Sequence, residues 1–213
     1  TTEIYTLSLH DALPISFGLI RLIAGLVFSL GLILVVVGGA ELFTGNNLIV
    51  MAWANRKVSF AQLLRNWAIV YLGNFLGAFA TAALVYLSAQ HTLGGGVVGA
   101  AALATAEAKS GLSFSQAFVR GILCNVLVCL AVWLSYSGRT TTDKMLAVIP
   151  PITAFVACGF EHSIANMYFI PVGLFIKSWA SDSFWNQIGK AASDYPALNW
   201  DHFWTANLIP VTL

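Results

Sequence analysis

Charged side chains are scarce in this sequence. Only 9% of its 213 residues are Asp, Glu, Lys or Arg, against roughly 25% in an average soluble domain. The formal net charge is +1. There is thus no basic field for nucleic acid and no acidic field for a cationic partner. Cysteine is also rare. Cys124, Cys129 and Cys158 all lie in apolar stretches without C-x-x-C spacing, so they read as small buried hydrophobes and not as a disulfide framework or metal site. Of the four histidines only His162 falls in an apolar segment. No His/Cys ligand set forms, so neither an enzyme activity, a metal nor a cofactor is expected.

What fills the chain is hydrocarbon. It is 58% hydrophobic with a mean hydropathy of +0.80, the composition of an all-α integral membrane protein. Residues 1–16, "TTEIYTLSLHDALPIS", are mixed in polarity and lack the basic start of a signal peptide. They read as a non-native leader, and His10 and Asp11 are given no function. Residues 17–39 are apolar apart from Arg21, enough for one span of about 20 residues. "GGAELFTGNN" interrupts that span, and "LIVMAWA" resumes it for about two turns. Residues 66–89 form a second span, with Gly73, Gly77 and Ala78 spaced for close helix packing. Residues 90–113 read as a glycine-rich loop and 114–136 as a third span. Residues 145–158 and 164–176 are each too short to cross alone, so a fourth span is broken in its middle. Residues 177–202 read as a polar loop whose Trp179, Trp185 and Trp200 suit a membrane interface. A further span starts at "FWTANLIPVTL". Arg56, Lys57, Arg65, Arg139 and Lys144 are packed into short loops on one side, which favours that side as cytoplasmic.

The two broken spans echo each other. Gly39, Glu41 and Asn46 recur 120 residues later as Gly159, Glu161 and Asn166. Paired interruptions in corresponding halves of a membrane protein point to a transport site at mid-membrane. Half-helices starting near Asn47 and Ile164 would turn exposed N–H groups toward the centre, which favours an anion. Glu161, His162 and Asn166 in "GFEHSIANMYF" are costly in such surroundings unless each finds a partner or a wet cavity.

"GGAELFTGN", "GILCNVLVCLA" and "GFEHSIANM" resemble the signatures of the formate/nitrite transporter family, on its bacterial formate channel branch. The resemblance covers about residues 17–212. It implies an aquaporin-like protomer of six transmembrane helices with inverted repeats, two of them broken, in a homopentamer with one pore per protomer. The family's first helix would precede Phe17 and its last would follow Leu213, so residues 17–213 read as an incomplete domain holding helices two to five. The implied function is passage of a small monovalent anion, formate before nitrite or hydrosulfide, across the bacterial inner membrane, with protons and the lipid bilayer as the other partners. The paired NPA motifs of water and polyol channels are absent, which counts against a neutral-solute pore.

The resemblance also implies roles. His162 matches the pore histidine that protonates or hydrogen-bonds the permeant anion. Lys109 matches a lysine that draws anions toward it. Asn125 and Asn166 match pore-facing asparagines, and Thr44 a threonine at the break of helix two. Phe28, Leu32, Phe43, Val128 and Phe155 match apolar constrictions, which gate by excluding water. Glu41 and Glu161 are read as braces for the broken backbone. Glu41 stands where aspartate is the commoner residue. From the residues alone, Lys109 would be a solvated loop lysine and Thr44 a helix cap.

Overall fold

The computed structural model describes residues 13–213; His10, Asp11 and most of the expected leader lie outside the described residues. The elements are α1 (Leu13–Gly38), α2 (Phe43–Asn46), α3 (Ile49–Ala54), α4 (Phe60–Leu87), α5 (Val97–Ser110), α6 (Phe114–Ser135), α7 (Thr141–Cys158), α8 (Ser163–Trp179), α9 (Asp182–Ile188), α10 (Trp200–His202) and α11 (Ile209–Thr212). A π turn, Phe203–Leu208, joins the last two. No strand occurs among the described residues. Phe17–Gly38, Phe60–Leu87 and Phe114–Ser135 are long and apolar enough to cross a membrane, and α7 with α8 qualifies as a broken fourth span. Phe17, Val27, Leu72, Leu76 and Leu84 stay exposed on these helices, as hydrocarbon surroundings require.

Both interruptions are built alike. Gly39 and Gly159 adopt left-handed backbone, φ +72° and +74°. A side chain there would strain the backbone, so glycine is the residue that ends the helix. The next amide in each case reaches back five residues: Ala40 N–H to Val35 C=O at 3.0 Å, and Phe160 N–H to Phe155 C=O at 3.1 Å. This is the Schellman arrangement. After each break the chain re-enters a helix with matching bonds, Asn46 N–H to Leu42 C=O at 2.8 Å and Asn166 N–H to His162 C=O at 2.9 Å. The 120-residue echo therefore marks the same backbone device used twice.

Three boundaries differ from the sequence expectation. The second span begins at Phe60, because Ser59 and Gln62 cap it reciprocally. Residues 90–113 are a loop only in part. Gly94, Gly95 and Gly96 all turn at positive φ, and the alanine-rich run after them forms α5, as the high helix propensity of alanine favours. Residues 177–202 hold α9, capped by Ser181. Gly73 and Gly77 face open space, so they make no close helix contact within the described chain.

The chain divides into two compact units, residues 1–41 with 124–160, and residues 42–123 with 161–213. In the first, α1 packs on α7. A Cβ at Gly25 would lie 2.8 Å from the Thr153 backbone, so the two helices approach as closely as backbone allows. Phe28 meets Phe155 edge to face at 5.4 Å. In the second unit α5 and α8, with α4 beside α8, surround a core that includes Leu103, Met167, Ile170, Phe175, Phe184 and Phe203.

Candidate functional site

His162 occupies the N-cap position of α8, and its Nδ1 accepts the Ala165 N–H at 3.1 Å. One of the orphan amides of the helix start is thereby satisfied by an imidazole. In a neutral ring with Nδ1 accepting, the proton sits on Nε2. Nε2 lies 3.0 Å from Thr44 Oγ1, so the ring donates to the hydroxyl. Both side chains are buried, His162 at 7% and Thr44 at 5% exposure. Thr44 lies in the single turn of α2 and not at its cap. Two residues 118 apart in sequence thus meet because each follows a chain break.

Glu161 precedes the histidine and is 5% exposed. Its Oε2 accepts from Lys109 Nζ at 2.9 Å and from Asn166 Nδ2 at 2.7 Å. Asn166, fully buried, also donates to Asn207 Oδ1 at 2.7 Å, and Asn207 Nδ2 donates to the Lys109 carbonyl at 2.9 Å. Lys109 stands in the last turn of α5, its amine 5.9 Å from the Phe169 ring centroid. Its side chain is 17% exposed and neutralised by Glu161, so it is not the solvated loop lysine that composition alone favours.

Asn207 was not among the sequence candidates. A primary amide in the apolar run "ANLIPVTL" was the available signal, since such a group needs a partner in hydrocarbon. It lay outside the G-x-E-x4-N echo. Glu107 was missed too. Its carboxylate accepts the Ala197 and Leu198 amides at 3.0 and 2.7 Å, while Lys177 donates to the Tyr195 and Leu198 carbonyls at 2.6 and 2.7 Å. The two charges grip one loop from both of its backbone polarities and hold the approach to α10.

The remaining candidates are distributed between the units. Phe43 lies in the second unit, half-buried, with its ring edge-on to Tyr71 at 5.0 Å. Phe28, Leu32, Asn125, Val128 and Phe155 lie in the first. There Leu32, Val128 and Phe155 are buried, and Asn125 Oδ1 is buried with no hydrogen-bond partner among the described residues. Glu41 is exposed at the first break.

The formate/nitrite transporter family model matches residues 3–213. The chain belongs to the formate/nitrite transporter family. The formate channel FocA of Haemophilus influenzae is 46% identical over 209 residues, 98% of this chain and 74% of that one. The formate channel FocA of Escherichia coli K12 is 47% identical over 197 residues, 92% and 69% of the two chains. A solved structure described as a pentameric formate channel with formate bound aligns with a TM-score of 0.88 at 46% identity, covering 92% of this chain and 77% of that one. Membership of the formate/nitrite transporter family makes this a multi-pass helical membrane protein of a transporter family, whose relatives are channels and not enzymes.

Proposed function

We propose that the protein passes formate across the bacterial inner membrane, through a pathway in each protomer of a homopentamer, with His162 as the group that meets the anion. The observation that carries this reading is the buried pair of His162 Nε2 and Thr44 Oγ1, 3.0 Å apart. With the ring N–H turned from the Thr44 hydroxyl to an anion, that N–H and the hydroxyl together form a compact donor set for a carboxylate. Formate is small enough to be met by two donors at once.

The histidine has two modes of action. As a neutral ring it donates a hydrogen bond from Nε2. As an imidazolium it can pass a proton to formate, leaving neutral histidine and formic acid. Formic acid crosses an apolar constriction such as those proposed for Phe28, Leu32, Phe43, Val128 and Phe155 far more cheaply than the anion does. Neutral Nδ1 is engaged by Ala165 N–H. Forming the imidazolium therefore releases that cap, and proton transfer is coupled to the first turn of α8. Lys109 tunes the local field through Glu161, Asn166 holds that carboxylate with its amide, and Asn125 supplies a further amide along the path. Glu41 and Glu161 brace the breaks.

The test is formate flux in proteoliposomes across a pH series, with nitrite, hydrosulfide, glycerol and water as competing solutes. Formate is expected to be favoured, and His162→Asn and His162→Phe to lower flux and alter its pH profile. An unchanged rate and profile in both variants would remove His162 from the mechanism. Faster nitrite or hydrosulfide flux would reassign the substrate.

A further inference from the structure

The two breaks, alike in backbone, are capped differently. At the second, His162 is the N-cap and satisfies the Ala165 amide with its own ring. At the first, the corresponding residue is Leu42, whose side chain makes no cap hydrogen bond. The orphan amide of Phe43 is taken instead by Asn74 of α4, with Phe43 N–H donating to Asn74 Oδ1 at 2.9 Å. The other end of the same turn is held by α4 too. Trp67 Nε1 donates to the Asn46 carbonyl at 3.0 Å, and Asn46 Nδ2 donates to Asn66 Oδ1 at 3.0 Å. Between these anchors the Phe43 ring rests on Tyr71 and Trp67.

Trp67, Tyr71 and Asn74 stand at i, i+4 and i+7, one stripe along one face of α4. A turn of four residues has no cooperative stability of its own, so its position is imposed from outside. The residue inside this bracket is Thr44, the partner of His162.

We infer that Asn74, with Trp67 as its counterpart, is the positioning residue that sets Thr44 against His162. Asn74 does not touch the permeant ion. It replaces the N-cap that Leu42 cannot provide and so fixes the depth and rotation of the Thr44 hydroxyl. The inference rests on the proposed role of the Thr44–His162 pair.

A double-mutant cycle tests it by formate flux and pH profile in proteoliposomes, with Asn74→Leu and Thr44→Val made singly and together. Each single variant is expected to lower flux by about tenfold, and the pair to be no worse than Thr44→Val, since residues acting through one another are non-additive. Asn74→Asp keeps the acceptor and is expected to retain most of the flux. Trp67→Phe run through the same cycle replaces Asn74→Leu should that variant not assemble. Losses that multiply in the double variant would overturn the inference while leaving the function intact. A harmless Thr44→Val would instead overturn the proposed role of the Thr44–His162 pair, and the inference with it, while formate passage itself stands.

Discussion

Glu161 and Lys109 show how much one buried charge controls. The pair is held at 2.9 Å with little exposure on either side. Removing only the cation leaves a buried carboxylate without its partner, an error of about 3–5 kcal/mol. Lys109→Met is therefore expected to lower thermal stability in detergent more than Lys109→Met combined with Glu161→Gln. Equal losses would mean that the pair is solvated. His91 makes a second residue-scale case, in the turn after α4 and outside the spans. It stacks on Tyr86 at 5.0 Å, and burial holds its pKa below the ordinary value. The unfolded chain binds the proton more readily than the folded one. Stability should then be level above pH ~6.5 and decline as the pH falls below it. His91→Phe should flatten that decline in melting curves taken across the range.

At the scale of elements, the breaks depend on glycine and on help from neighbouring helices. Ala in place of a left-handed glycine costs roughly 1–2 kcal/mol of backbone strain. Gly39→Ala meets nothing within 4 Å, whereas a Cβ at Gly159 would lie 3.1 Å from Arg21 Nη2. Gly159→Ala is thus expected to lower the melting temperature more than Gly39→Ala; the reverse order would show that Arg21 gives way freely. Arg21 itself donates to the Val156 and Ala157 carbonyls in the last turn of α7. It satisfies acceptors that a helix end leaves open and offsets the negative end of the dipole. Arg21→Met should destabilise α7, read as faster hydrogen exchange confined to its last turn, while Arg21→Lys should restore most of the protection.

On the scale of the whole molecule, the chain passes between its two compact units at both breaks, between Glu41 and Leu42 and between Phe160 and Glu161, and again within α6. The exposed apolar surface of α1, α4 and α6 belongs in lipid or against another subunit. Purified in mild detergent, the protein is expected to give the mass of a pentamer by native mass spectrometry; a monomer with full flux would separate transport from assembly.

Much of this was legible from residue order. Hydropathy runs set the helical spans, because a bilayer demands about 20 apolar residues per crossing. The repeated Gly, Glu and Asn located both interruptions, because a left-handed turn needs glycine and polar groups interrupt an apolar run. Periodicity could not reveal who those partners are. Asn207, Asn74 and Glu107 make bonds to residues 41, 31 and 90 positions away, and no local pattern encodes such distances. The sequence by itself determined where the helices break and that polar groups follow each break. Only the tertiary structure decided that Thr44 meets His162, that Lys109 is spent on Glu161 and that α4 caps the first break, because each of these is a choice among partners made by packing.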